Sequence, residues 1–180
     1  MKRLFLAVPV SAELKEKIVP VLQQLSETGA DLNVVSVENL HLTLKFLGGV
    51  EEKSIPKIIK NISALHQQPF SLTLCGVGVF PAVARIRVIW IGIQDSALVS
   101  LMKKINQALN FIRSREQEET PHLTLARMKS GKHREEVRQL IEKYQNTSFG
   151  EMQVDKLILY ESELGREGPK YTIMKEFPLL

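Results

Sequence analysis

A chain of 180 residues is long enough to bury one well-packed core, and 44% hydrophobic with 24% charged residues excludes a disordered polyelectrolyte. Lys and Arg number 24 against 20 Asp and Glu, a net charge of +4 that suits an anionic ligand without requiring one. The single cysteine, Cys75, excludes an intrachain disulfide framework and fits a reducing compartment; in the alternating run Leu72-Thr73-Leu74-Cys75 it reads as a small core residue.

Lys2-Arg3 followed by the apolar run from Leu4 to Val10 predicts a buried strand over 3–9. Pro9 interrupts the run and no small-residue cleavage site follows, which argues against a signal peptide. No stretch approaches the roughly 20 apolar residues of a membrane span, so a cytoplasmic protein without a membrane partner is expected. Ser11 reads as the N-cap of a helix over 12–28 with Leu14, Ile18, Val21, Leu22 and Leu25 on one face and Gly29 as its stop. An extended link through Val34 and Val35 leads to a strand over 40–47, closed by Gly48-Gly49. A helix over 51–65 follows, with Glu51 and Glu52 at its start, Pro56 in its first turns, and Ile55, Ile58, Ile59 and Ile62 inward. Residues 70–80 predict a strand that ends near Pro81.

The same order then recurs. A strand over 86–93 is followed by a helix over 95–112, with Asp95 or Ser96 as cap and Leu98, Leu101, Met102, Ile105 and Leu109 inward. A strand over 122–127, a helix over 132–144, a strand over 153–160 and a last strand near 170–177 complete the chain. Nothing resembling a linker separates the halves. The expectation is one domain over 1–180, made of two related lobes.

The duplication is sharpest in a short motif. Leu40-His41-Leu42-Thr43-Leu44 returns as Pro121-His122-Leu123-Thr124-Leu125. Each copy alternates with the period of a half-buried strand, so histidine and threonine share one face while the leucines enter the core. Copies of one unit tend to pack about an approximate two-fold axis, which would bring two imidazoles and two hydroxyls to one groove. An imidazole titrates near pH 6.5, so one can act as acid and the other as base at working pH. That is what in-line attack on a phosphodiester needs, and the threonine hydroxyls can hold the non-bridging oxygens.

Other chemistries lack their residues. There is no His-Glu-x-x-His helix, no cysteine pair and no carboxylate inside either motif, so neither a metal nor another cofactor is expected. Gly-x-Ser-x-Gly, a Walker loop and a dinucleotide fingerprint are also missing. His66 and His133 lack the flanking pattern and read as solvated surface groups. Lys45 shares the face of His41 and Thr43 and could reach a phosphate. Phe46 and Arg127, each five positions after a histidine, fall on the opposite face of an ideal strand and reach the groove only if a bulge or twist intervenes. Lys129, Lys132, Arg134 and Arg138, interrupted by Glu135 and Glu136, read as a solvated helix face that could touch RNA backbone.

The paired motifs in a duplicated chain of this length resemble the 2H phosphoesterase superfamily, and within it the RNA 2′,3′-cyclic phosphodiesterases also called 2′-5′ RNA ligases. The likeness extends to Arg3-Leu4-Phe5-Leu6-Ala7-Val8, Glu38-Asn39-Leu40 before the first motif, Lys45-Phe46-Leu47-Gly48 after it, and Gly78-Val79-Phe80-Pro81. It continues in Ala126-Arg127, Leu159-Tyr160-Glu161-Ser162 and Gly168-Pro169-x-Tyr171. One departure is the acidic run Glu116-Gln117-Glu118-Glu119 before the second motif, which could narrow the substrate range. The resemblance implies a bilobal α+β fold, mainly antiparallel sheets facing a central cleft with helices outside. It further implies metal-independent opening of a 2′,3′-cyclic phosphate to a 2′-phosphate. His41 would be the proton donor to the 3′ oxygen and His122 the proton acceptor from water, with Thr43, Thr124 and Arg127 on the phosphate and Lys45 and Phe46 as further substrate contacts. RNA ends or nucleotides bearing a cyclic phosphate are the expected partners, with no obligate protein partner. Reversible 2′-5′ ligation in the same site, or a non-catalytic RNA-end binding module, are the alternatives.

Overall fold

The computed structural model describes residues 1–112, 120–165 and 168–180. Strand β1 (Lys2–Pro9) leads into helix α1 (Ala12–Glu27), whose cap is Ser11: its Oγ accepts the Leu14 backbone N–H at 3.4 Å. The expected inner face of α1 is the buried one, and Gly29 follows it at φ +70°, a left-handed position that favours glycine. The short strand β2 (Leu32–Val34) precedes β3 (His41–Val50). Helix α2 (Ile55–Ser63) starts only after a 3₁₀ turn at Glu52–Ser54, then come β4 (Phe70–Ala82) and β5 (Arg85–Gln94). Helix α3 (Ser96–Ala108) is capped by Asp95, whose Oδ1 accepts the Leu98 N–H at 2.9 Å. The chain ends with β6 (His122–Met128), α4 (Arg134–Tyr144), β7 (Ser148–Val154), β8 (Lys156–Gly165) and β9 (Gly168–Pro178).

The single strand expected over 153–160 is thus two, separated by Asp155. Strand β7 has a weak sequence signal because Gly150, Glu151 and Gln153 interrupt its buried positions Phe149, Met152 and Val154. Among the described residues the strands form one nine-stranded antiparallel sheet, ordered β7-β4-β5-β6-β3-β1-β8-β9 with β2 on β6. Its middle is the junction of the two histidine strands, β6 and β3, joined through the pair Leu42↔Leu123. On one side of that seam lie β6, β5, β4 and β7, and on the other β3, β1, β8 and β9.

The helices cross over. Helix α1, which follows β1, packs against β2, β7 and α4 on the far side of the seam, whereas α2 and α3 pack together beneath β3 and β9. Strand β4 likewise leaves the side of β1 and β3 to pair with β5 and β7. Each side therefore buries elements from both halves of the sequence, and the core is continuous through Leu42, Leu44, Leu123 and Leu125. The helices cover one face of the sheet and leave the other open as a cleft at the seam.

Candidate active site

Antiparallel pairing of Leu42 with Leu123 sets the register of the site. In that register His41 stands opposite Thr124, and Thr43 opposite His122. Each histidine thus faces the other copy's threonine across the seam, and the imidazoles occupy one diagonal. Diagonal neighbours in a regular ladder have Cα atoms about 7–8 Å apart. The leucines of both motifs point the other way, with Leu42, Leu44, Leu123 and Leu125 each at most 2% exposed.

Both imidazoles are held alike. His41 Nδ1 is 2.6 Å from the Asn39 carbonyl, and His122 Nδ1 is 2.9 Å from the Thr120 carbonyl, in each case two residues upstream. A carbonyl can only accept, so Nδ1 carries the proton and donates, and Nε2 becomes the atom that takes up or releases a proton. Burial pushes both imidazoles below their ordinary value, with the carbonyl bond opposing in part; for His122 the nearby Arg127 charge lowers it further. Aromatic rings supply that burial. Phe5 packs on His41 at 4.8 Å between centroids, and Tyr171 meets it edge-on at 5.3 Å. Phe80 meets His122 edge-on at 5.0 Å and Trp90 lies beside it at 6.4 Å. Gly78 makes room for that indole: a Cβ there would come within 2.3 Å of the Trp90 ring.

Two β-bulges decide which of the following residues reach the cleft. Against β1, Ala7 pairs with Thr43 and Leu6 with Lys45, so Leu44 is the extra residue. Against β5, Trp90 pairs with Thr124 and Ile89 with Ala126, so Leu125 is extra. The bulges fall at the same motif position in both copies, and each reverses the face of the residues that follow it, on β3 until a second shift at Leu47. Phe46 and Arg127, which ideal alternation sends away from the histidines, consequently line the cleft. Lys45 is turned the other way, contrary to the expectation that it shares the face of His41. Its Nζ donates to Asn106 Oδ1 on α3 at 2.6 Å, and only 9% of the residue is exposed. It is a buried tie between β3 and α3 and not a phosphate contact.

The cleft has a volume of about 530 Å³, and His41, Thr43, Thr124, Phe46 and Arg127 are among its walls. It also uses residues that sequence reasoning had not assigned to the site. Arg3 and Phe5 come from β1, Asn39 from the turn before β3, and Ser162 and Tyr171 from the β8–β9 hairpin. Arg3, Phe5, Asn39, Ser162 and Tyr171 all occur in the segments that carry the family likeness, the signal that could have found them. Asn39 also donates its Nδ2–H to the Pro169 carbonyl at 3.1 Å, tying that hairpin to the first motif. Burial holds the Tyr171 phenol above its ordinary value, with the charges of Arg127 and Arg3 opposing, so it stays an O–H donor at neutral pH. Among the described residues, no group of three or more His, Cys, Asp or Glu side chains could hold a metal ion. His66 lies outside the cleft, and His133 pairs with Glu136 at the start of α4. The acidic run Glu116, Gln117, Glu118 and Glu119 lies outside the described residues.

Two duplicated strands joined at the seam each carry a His-x-Thr motif, with His41, Thr43 and Thr124 lining the cleft and His122 buried beside Phe80 and Trp90 rather than among its walls, and this pairing defines a 2H-type phosphoesterase site. The model of the LigT-like phosphoesterases matches the chain twice, over residues 8–90 and 91–171, and the chain belongs to that family. A protein of Methanocaldococcus jannaschii, named RNA 2′,3′-cyclic phosphodiesterase, is 39% identical over 176 residues, covering 97% of this chain and 99% of that one. Among solved structures, a Thermus thermophilus protein matches with a TM-score of 0.83 at 27% identity, covering 98% of this chain and 97% of its own. Escherichia coli LigT complexed with 3′-AMP matches with a TM-score of 0.79 at 25% identity, covering 99% of this chain and 98% of that one.

Proposed function

We propose that this protein is a metal-independent RNA 2′,3′-cyclic phosphodiesterase that opens a terminal cyclic phosphate to a 2′-phosphate. The observation that carries the reading is the square His41, Thr124, His122 and Thr43, with both Nδ1 atoms tied to backbone carbonyls. Relatives that carry this activity in their names align with almost the entire chain, and LigT of Escherichia coli binds 3′-AMP, a nucleotide of fitting size.

The cyclic phosphate sits between the imidazoles with its phosphorus on the diagonal. His122 Nε2 takes a proton from water as the water oxygen bonds to phosphorus. The bond from phosphorus to the 3′ oxygen breaks on the opposite side, and His41 Nε2–H delivers its proton to that oxygen. Products are a 2′-phosphate and a 3′-hydroxyl, and exchange with solvent restores the two protonation states. The direction of the roles is supported by Arg127, whose charge disfavours the protonated form of His122 and suits it as base. Thr43 and Thr124 hydroxyls and the Arg127 guanidinium bind the non-bridging oxygens, where charge accumulates. Phe46 provides a face on which the terminal base can rest.

We further read the chain as a single domain of two duplicated lobes, supported by the repeated family match and the paired bulges. Cytoplasmic residence is part of the same reading; among the described residues no helix is long and apolar enough to cross a membrane. The test is hydrolysis of a nucleoside 2′,3′-cyclic phosphate with a chelator present and the product isomer identified. Expected is a 2′-phosphate at undiminished rate. No turnover of either mononucleotides or oligonucleotide ends, with or without added metal, overturns it.

A further inference from the structure

Beyond the cleft, the β6 side of the molecule carries cations that its chemistry does not use. Arg85 and Arg87 on β5, and Lys129, Lys132 and Arg134 between β6 and α4, are all exposed. The fold gathers them: Val88 pairs with Arg127, the Lys129 N–H bonds the Asp31 carbonyl, and Arg134 donates to the Ala84 carbonyl at 3.0 Å in the β4–β5 turn. Among the described residues none of these five side chains forms an ion pair. The carboxylates that interrupt them in sequence have partners of their own, Glu135 with Arg138 at 3.2 Å and Glu136 with His133 Nδ1 at 2.9 Å. Five unpaired cations therefore begin where Arg127 leaves the cleft. Lys129 lies seven positions beyond His122, so at about 3.3 Å per residue the strip reaches on the order of 20 Å from the imidazoles. That exceeds the needs of one nucleotide.

A 2′,3′-cyclic phosphate closes the 3′ end of a strand, so any further nucleotides lie on its 5′ side. We infer that Arg85, Arg87, Lys129, Lys132 and Arg134 form a track for the backbone phosphates of single-stranded RNA 5′ to the terminal nucleotide, making oligonucleotide ends the preferred substrate over mononucleotides. The inference rests on the function proposed above for the cleft. The track contacts phosphate and not base edges, so it confers length preference without sequence preference.

The experiment compares a nucleoside 2′,3′-cyclic phosphate with a short oligoribonucleotide bearing the same end, using the wild type and the Arg87→Gln/Lys129→Gln/Lys132→Gln variant. Turnover is measured over a range of salt concentrations, and anisotropy of a labelled oligonucleotide reports binding independently of turnover. All three positions are exposed, and none belongs to the cleft or anchors a neighbouring element by its side chain. Expected is oligonucleotide kcat/KM falling with salt more steeply than that of the mononucleotide. The triple variant should lose about 10-fold or more on the oligonucleotide at low salt, with a log–log slope shallower by about 2, since each single-strand phosphate contact contributes about 0.7. Its mononucleotide rate should stay within about twofold, a level that also establishes an intact fold. Equal binding and turnover of the oligonucleotide by both proteins, or no preference for it over the mononucleotide, overturns the track. A wild type that turns over neither substrate yet binds the oligonucleotide through these residues overturns the cleft's function and not the track.

Discussion

His122 is buried and His41 half-buried, both with imidazoles held below the ordinary value, and this has a measurable consequence for stability. Between their folded values and the value of about 6.5 in the unfolded chain, the unfolded state binds more protons. Stability contributed by the neutral rings is therefore complete above that unfolded value and declines as the pH falls through the window. Where a ring is neutral when folded and charged when unfolded, the slope approaches about 1.4 kcal/mol per pH unit for each histidine. Carboxylates titrate as well, so the informative quantity is the difference between wild type and His41→Gln/His122→Gln, from urea denaturation at pH values from about 5 to 8. The wild type should lose stability relative to the variant on acidification, and saturating inorganic phosphate should flatten the trend by favouring imidazolium in the cleft. Parallel pH curves for the two proteins, or a wild type that gains on acidification, would falsify the assignment of both rings as neutral and desolvated.

The same shifts bear on rate: kcat/KM should follow a bell with its maximum on the acid side of about pH 6.5, and kcat should peak at higher pH because bound phosphate raises the imidazoles. A kcat/KM maximum in the alkaline range contradicts this. Single His41→Ala and His122→Ala variants should each lose at least about 10²-fold in turnover while unfolding cooperatively; unchanged rates in both remove the acid–base scheme. Lys45→Met should leave turnover within about threefold, because its ammonium is tied to Asn106 beneath the sheet. A loss as large as that of Arg127→Gln would return Lys45 to the cleft. Gly78→Ala should destabilise by about 1–3 kcal/mol, as the added methyl displaces the Trp90 ring packed beside His122. Retention of both wild-type stability and wild-type Trp fluorescence would show that the indole has room.

Much of this protein was determined by local sequence. Ser11 and Asp95 cap the helices expected of them, the isoleucine and leucine stripes of α1, α2 and α3 are the buried faces, and His41 and His122 open the two strands that the alternation predicts. These features depend on residues within a few positions of one another, where capping geometry and hydrophobic period act. The tertiary structure decided the rest. No local signal distinguishes Leu44 and Leu125 from ordinary inward leucines, yet pairing with β1 and β5 makes each an extra residue. Those two insertions bring Phe46 and Arg127 into the cleft and send Lys45 to α3, because the side-chain period of a strand is two and one added residue reverses the residues that follow it. Only the seam pair Leu42↔Leu123 sets each histidine opposite the other copy's threonine, and only the β8–β9 hairpin carries Tyr171 to His41 from the far end of the chain. Register between strands is fixed by partners remote in sequence, so His41, Thr43, His122 and Thr124 could be named from the sequence, but which later and more distant residues join them could not.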